Sequence, residues 1–523
     1  MPPAFWNISE RIKKNDFPFY CLLAVLSLSV CGGFVFSVTF QSVLFIILIT
    51  CFAFIFIKKK LKNNNIFIFM SLLLTAIFLS YLGADFQVNV RNVSLGFLNA
   101  VIAFFIMLYA DNRNKENVLL SLLFLGLWVS FLLFIQIFTG NNIEQSAFLN
   151  INIISGFLLV VYTLALGFTE KNKYPVFFLS VSLIIFFAIA VTHSRTAVVL
   201  AYAVTVFYFL IIRKNNYFHI FFIAVSCILI AGIVYAFYTK TGLQSLSERF
   251  IWWKTALFMF KENALFGVGF GNYGALFLYY RPEPVLNTLF AHNIFLQLLA
   301  ETGIFGIISF AVVFYIMGKN AVISFKNKNA DLIYMKSVVA SIIIFLIFNI
   351  MEYSFYIPAC LTTFFVLCGF LCHCETERRK KSFAFSAVVA AVVLFAIYTV
   401  VPFAVAEQYY KNGQRYASKK DYKKAREQYL KAVKYDGKNP EYLHQAADCS
   451  FGLYILSSQM EKHYLQDTIN FESQSEKLYT HSAQIKSGLA NLYRLSADMQ
   501  NAQKYSEAAL KCDKFNPNYE IIH

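Results

Sequence analysis

The sequence predicts an all-α membrane protein, a polytopic membrane helical bundle of about 13 spans followed by a soluble helical repeat domain. Three observations carry that prediction. Of 523 residues, 58% are hydrophobic and only 14% charged, far outside the soluble globular range. Apolar runs of roughly 17 to 22 residues recur, each long enough to cross some 30 Å of hydrocarbon at about 1.5 Å per residue. After Pro402 the composition turns charged, alanine-rich and tyrosine-rich, with helical periodicity.

In chain order the expected spans lie near 17 to 38, 39 to 57, 66 to 83, 94 to 110, 118 to 139, 151 to 168, 176 to 192, 197 to 212, 220 to 238, 293 to 317, 332 to 351, 359 to 374 and 382 to 402. The first two are nearly continuous, and the first reads as a signal anchor rather than a cleaved peptide because a second apolar segment follows at once. The N-terminal arm and every second loop hold 20 of the 45 basic residues, whereas the intervening short loops hold only Arg91 and Arg195. Translocating basic residues is disfavoured, so this alternation places the N-terminus in the cytoplasm and, after an odd number of spans, the C-terminus outside. A membrane domain, 1–402, is therefore expected to export a large loop, 239–292, on the same side as a C-terminal domain, 403–523.

The net charge of +16 raises nucleic acid as a partner, but topology already accounts for those 20 basic residues, which argues against it. Eight of ten cysteines fall in or beside spans, where cysteine acts as a small hydrophobe. Cys449 and Cys512 are in the exported domain, and sequence leaves open whether they pair.

An internal repeat marks the C-terminal domain. A shift of 77 residues aligns Asp421 with Asp498, Ala425 with Ala502, Ala432 with Ala509, Asp436 with Asp513, and Asn439-Pro440 with Asn516-Pro517. Small residues at such offsets let antiparallel helices approach closely, and the arrangement resembles the tetratricopeptide repeat. The shift equals two 34-residue repeats and about nine more residues, so an insertion-bearing repeat is expected between 441 and 474. Such stacks present a concave surface to a partner, the alternative being a plain helical array with no ligand.

Candidate chemistry gathers in the outward segments. Arg195 sits in the tight turn His193-Ser194-Arg195-Thr196, where it either anchors at the headgroups or serves a site. Arg249 begins an aromatic stretch with Trp252 and Trp253, expected to lie along the membrane interface. Gly269 to Gly274 formally spells the G-x-G-x-x-G dinucleotide fingerprint, but no strand precedes it and it lies outside between spans. Its glycines instead suit tight turns and close approach of the backbone to a bulky ligand. The loop ends at His292, and Asn293, Gln297 and Glu301 then recur every four residues along one helix face. Glu301 falls about 13 Å below His292, so it must pair or line a wet cavity. On its own His292 would read as a helix-start histidine open to water; beside two arginines and this polar stripe it becomes a candidate base.

These residue types suit the holding of an anionic leaving group while a hydroxyl attacks. Arginine offers bidentate, permanently charged donors to phosphate, and neutral histidine accepts the attacking proton. The usual alternative is a divalent cation held by clustered carboxylates. The outward acids Asp85, Glu144, Glu248, Glu262, Glu283 and Glu352 are scattered singly, which favours a mechanism with no metal and no cofactor.

Thr192 to Ala197, Arg249 to Trp253, Phe266 to Asn272, and His292-Asn293 through Glu301-Thr302-Gly303-Ile304-Phe305-Gly306 together resemble the O-antigen ligase and polymerase superfamily of bacterial membrane proteins. The resemblance covers about residues 60 to 375 and is strongest from 192 to 306. It implies a GT-C-type, metal-independent, inverting glycosyltransferase of the bacterial inner membrane, taking a glycan from undecaprenyl diphosphate at the periplasmic face. Arg195 and Arg249 would bind the diphosphate, His292 would activate or position the acceptor, and Arg91 is a weaker candidate for the same anionic site. Asn293, Gln297 and Glu301 are expected among the substrate-binding residues. The family includes ligases onto lipid A core, repeat-unit polymerases and protein O-oligosaccharyltransferases, so the hydroxyl acceptor is lipid, glycan or protein, and residues 403–523 offer a surface for a protein partner. A polysaccharide or lipid transporter is the alternative from a different class. It would call for repeated membrane halves and mid-bilayer charges, neither clear in this chain.

Overall fold

The computed structural model describes residues 17–31, 37–61, 65–82, 90–139, 151–169, 174–212, 216–238, 244–326, 332–372, 376–379 and 382–516. The fold is helical apart from one two-stranded ladder among these residues. The apolar helices are α1 (Phe17–Cys31), α2 (Val38–Lys58), α3 (Asn65–Leu82), α4 (Val90–Leu108), α5 (Asn112–Thr139), α6 (Ile151–Phe168), α7 (Pro175–Val191), α8 (Arg195–Ile212) and α9 (Asn216–Tyr238). The loop between α9 and α12 contributes α10 (Gln244–Glu262) and α11 (Tyr273–Tyr280); α12 (Ile294–Lys326), α13 (Leu332–Phe348), α14 (Pro358–Leu371) and α15 (Phe383–Ser418) follow.

Four segments among the described residues are long and apolar enough to cross a membrane: Val38–Lys58, Asn112–Thr139, Ile294–Ile323 and Phe383–Ser418. Nine more apolar segments, each of 10 to 17 described residues, accompany them. Among them α14 has 14 residues. At about 1.5 Å per residue it reaches roughly 21 Å, and almost every one of its side chains is buried. It is a core helix, packed so closely on α4 that Gly369 lies against the carbonyl of Phe104.

The two ends of the bundle differ in chemistry. At one end strand β1 (Lys59–Leu61) pairs antiparallel with β2 (Thr376–Arg378), Lys59 Nζ donates to the Tyr109 carbonyl at 3.3 Å, and Lys115 Nζ donates to that of Phe370 at 3.2 Å. These ammonium groups meet helix C-terminal carbonyls left without intrahelical partners, and the macrodipole favours them there. The opposite end carries the α7–α8 turn, the loop helices and the α13–α14 connection. Two contacts join these pieces: Ser155 Oγ donates to Thr192 Oγ1 at 2.7 Å, and the next residue of α6, Gly156, packs on Phe348 and Ser354.

Pro402, where the composition changes, lies inside a helix. It costs α15 one backbone donor, yet the helix runs unbroken for 36 residues out of the bundle. Beyond it stand α16 (Tyr422–Tyr435), α17 (Pro440–Leu456), α18 (Lys462–Leu478), α19 (Ala483–Leu495) and α20 (Met499–Cys512). The outer half of α15 pairs with α16, α17 with α18 and α19 with α20. Gly413 accommodates the Tyr429 ring in the first pair. The middle pair is longer, with 17 residues in each helix against 14 in α16 and 13 in α19, and there the extra length of the 77-residue shift resides. Cys449 and Cys512 are both buried free thiols. Glu407 of α15 accepts from Thr39 N at 2.5 Å and Ser37 Oγ at 2.8 Å, so it caps α2 and anchors the array to the bundle.

Candidate active site

Helix α12 is broken inside the bundle, and the glycine-rich loop repairs the break. At Gly303 the backbone turns left-handed, φ 62°. The carbonyls of Ala300 and Glu301, freed there, accept the amides of Val268 and Gly269 at 2.9 and 3.0 Å, while the amides of Ile304 and Phe305 donate to Ala264 and Leu265 at 2.9 and 3.4 Å. Buried peptide groups need partners, and a second backbone supplies them. That pairing requires contact without side chains: a Cβ at Gly267 would strike the Glu301 backbone, and one at Gly303 would strike Leu265. The glycines therefore bring the loop against α12, and Gly267, Gly269 and Gly271 turn through positive φ as tight turns do.

The polar stripe of α12 holds this junction together. Gln297 Oε1 accepts the Ala291 amide at 3.0 Å, immediately before His292, and Gln297 Nε2 donates to Glu301 Oε1 at 3.1 Å. Glu301 also accepts from the Tyr273 amide at 3.1 Å and from the Tyr356 hydroxyl at 2.6 Å. Gln297 is 1% exposed and Glu301 fully buried. Asn293 caps α12 through Oδ1, which accepts from Phe295 and Leu296. Gln297 and Glu301 thus pair with the protein rather than lining a wet cavity. Through these bonds the two side chains tie α12 to the loop and to the α13–α14 connection.

His292 lies in the left-handed region at φ 52°, a conformation a non-glycine residue holds only when its surroundings impose it. Gln297 fixes it from one side, and Ile294 N donates to Asn349 O at 2.9 Å on the other. Asn349 Oδ1 in turn accepts the Phe355 amide at 2.8 Å, and this folds the α13–α14 connection over the start of α12. The imidazole rests between rings, 4.6 Å from Trp252 and 4.7 Å, edge-on, from Tyr353.

That connection delivers Glu352, whose side chain is 3% exposed. Its Oε1 accepts from Arg249 Nη2 at 2.8 Å, and its Oε2 stands 3.5 Å from His292 Nδ1, close enough for charge pairing but short of a hydrogen bond. Arg249 Nε, His292 Nδ1, Glu352 Oε2 and the indole nitrogens of Trp252 and Trp253 are all buried with no hydrogen bond. Buried polar atoms of this kind usually have a partner, and leaving several unsatisfied in one place is costly. Glu352 had been one acid scattered among six; nothing local in its sequence ties it to Arg249 or His292.

Helix α10 is two-faced. Trp252, Ala256 and Met259 pack inward, while Phe250, Leu257 and Phe258 are exposed, as an interfacial helix requires. Trp252 is therefore not part of an interfacial belt, since its ring is spent on His292. Arg195, exposed at the first position of α8, lies at the same end of the bundle through the Thr192–Ser155 and Gly156–Ser354 contacts. Arg91 falls in the first turn of α4, and its side chain lies outside the described residues. Among the described residues no group of three or more His, Cys, Asp or Glu side chains is placed to hold a metal ion.

A family model described as O-antigen ligase matches residues 180–311, a stretch running from α7 to the middle of α12 and including Arg195, Arg249, the glycine-rich loop and His292. Comparison with curated proteins finds no match. Among solved structures, one described as "Human IFIT1 dimer with PPP-AAAA" aligns with 80% of this chain and 68% of its own, at 12% identity and a TM-score of 0.20, too low to bear on fold or function.

Proposed function

From the O-antigen ligase domain that this membrane protein carries at residues 180–311, we propose an inverting glycosyltransferase that moves a glycan from undecaprenyl diphosphate to a hydroxyl acceptor, lipid A core or a related glycan, at the periplasmic face. The single observation that supports the reading best is the buried Arg249–Glu352–His292 arrangement, with its unsatisfied polar atoms, at the end of the bundle that also holds Arg195.

The chemistry follows from the donors. The acceptor oxygen attacks the anomeric carbon, the bond from that carbon to the diphosphate oxygen breaks, and the lipid diphosphate leaves as an anion. Arg249, which still has an unsatisfied Nε, and Arg195 neutralise the charge that grows on it. The proton of the attacking hydroxyl passes to His292. With Nδ1 turned to Glu352, Nε2 is the accepting nitrogen, and the carboxylate steadies the imidazolium that forms. Carboxylate and guanidinium also hold each other in place before substrate arrives.

The acceptor is lipid A core, another glycan in a repeat-unit polymerase, or a protein in an O-oligosaccharyltransferase. The decisive assay reconstitutes the purified chain, supplies lipid-diphosphate-linked oligosaccharide with each of the three acceptors in parallel, and follows which gains the mass of the glycan. No gain with any of them, beside movement of the donor across a sealed vesicle, would replace this reading with a transporter.

A further inference from the structure

A buried ion pair ties the far end of the helical array to the loop that carries the candidate site. Arg281, which ends α11, donates from Nη2 to Asp513 Oδ1 at 2.6 Å and from Nη1 to the Val285 carbonyl at 2.7 Å. Its guanidinium lies 5.5 Å from the Phe515 ring. The two charged side chains are only 9% and 4% exposed. Flanking contacts widen the junction: the Tyr479 hydroxyl donates to the Ala275 carbonyl at 2.5 Å, and the rings of Tyr279 and His481 meet edge to face at 4.8 Å. Tyr479 and His481 occupy the α18–α19 turn and Asp513 ends α20, so α11 is held by the last three helices of the chain.

Two charges taken from water are tolerated only while each faces the other, and removing one strands its partner. The contact is therefore exacting about where α11 sits. The other end of α11 belongs to the candidate site. Tyr273, its first residue, donates its amide to Glu301 at 3.1 Å and its hydroxyl to the Trp252 carbonyl at 2.8 Å, and the Trp252 ring lies against His292. Helix α11 is a rod of eight residues, fixed by the helical array at one end and fixing the indole beside the imidazole at the other.

We infer that Arg281 and Asp513 are positioning residues for the transfer reaction: the terminal helix pair sets α11, and α11 sets the His292 imidazole through Tyr273 and Trp252. The inference rests on the transferase reading for its effect on turnover, but not for its structural content. Residues 483–512 then form a wall behind the site rather than a tethered adaptor.

The test uses the full-length chain in lipid nanodiscs. Asp513→Asn removes the charge and keeps the shape, and Asp513→Glu keeps the charge. Hydrogen exchange read by mass spectrometry should accelerate across 273–280 and 290–293 in Asp513→Asn, remain at wild-type rates across 440–456 and 151–168, and return towards wild type in Asp513→Glu. In the transfer assay Asp513→Asn should lose turnover by about tenfold to a hundredfold, as a misplaced reacting group does, with little change in KM for the donor and recovery in Asp513→Glu. Unchanged exchange across 273–280 in Asp513→Asn overturns the inference. So does faster exchange spread over all of 422–512, which would make Asp513 a support of the array alone. A wild-type chain that transfers no glycan defeats the transferase reading by itself, and the exchange data still decide the positioning contact.

Discussion

Glu352 stands between Arg249 and His292, one carboxylate oxygen 2.8 Å from the guanidinium and the other 3.5 Å from Nδ1 of the imidazole. Its neighbours in sequence are the residues that close the α13–α14 connection onto the start of α12, so its position depends on Asn349 holding both Ile294 and Phe355. An anion so placed has two effects on the proposed reaction. It keeps Arg249 from wandering before the diphosphate binds, and it stabilises positive charge on His292 as the acceptor loses its proton.

Glu352→Gln is therefore expected to cost turnover on the order of a hundredfold to ten-thousandfold, the usual worth of a supported general base. Glu352→Asp should recover part of it. Steady-state transfer kinetics on the reconstituted chain measure this. Near-normal turnover in Glu352→Gln would show that the carboxylate is only a structural partner of Arg249.

Arg249→Ala should remove roughly 3 to 4 kcal/mol of transition-state stabilisation, read as a fall in kcat with the chain still inserted and monodisperse. Arg249→Lys should not rescue it, because an ammonium cannot bond Glu352 and a phosphate in the same plane. His292→Ala should be equally inactive. Arg195→Ala tests whether the second arginine, exposed at the head of α8, shares the anionic group: a raised donor KM assigns it to binding, and unchanged kinetics return it to the membrane interface.

The helical class could be read from local pattern, because apolar runs are visible one segment at a time, and Arg249 and His292 stood out as lone charges in the loop. What escaped was set by pairings across the chain. Glu352 meets Arg249 over a separation of 103 residues, and Asp513 meets Arg281 over 232. The polar stripe was legible as a stripe, but its use was not. Gln297 and Glu301 turn towards Ala291, Tyr273 and Tyr356 because α12 breaks at Gly303, and the glycines 267, 269 and 303 showed no sign in sequence of being two halves of one joint. Continuity of α15 through Pro402 was equally hidden, since the change of composition there says nothing of where a helix stops.

That joint makes its own prediction. Gly303→Ala places a Cβ on the Leu265 backbone at a positive φ, so the four hydrogen bonds between the loop and α12 cannot all survive. The expected result is a chain with lower thermal stability and no transfer, although neither Arg249 nor His292 has been touched. Gly318→Ala, in the same helix with open space around it, should leave both properties unchanged and serves as the control.

The C-terminal helical array contains a pH-sensitive pair. His444 Nδ1 lies 2.9 Å from Glu472 Oε2, and its Nε2 faces Asp448 at 4.0 Å and Gln484 at 3.5 Å. Burial disfavours the imidazolium, but the hydrogen bond and charge of Glu472, helped by Asp448 and Glu441, outweigh it and push the His444 pKa up to about 9. The folded state thus binds the proton more tightly than the unfolded chain, whose histidine titrates near its ordinary value of 6.5. The stabilisation is complete below that value and is lost as pH rises through about 9. Thermal unfolding of the full-length chain should show the α17–α18 region melting a few degrees lower at pH 9.5 than at pH 6.5. His444→Gln should flatten that dependence and leave the pH-independent part of the stability in place. A slope that persists in His444→Gln would assign the alkaline sensitivity to another group.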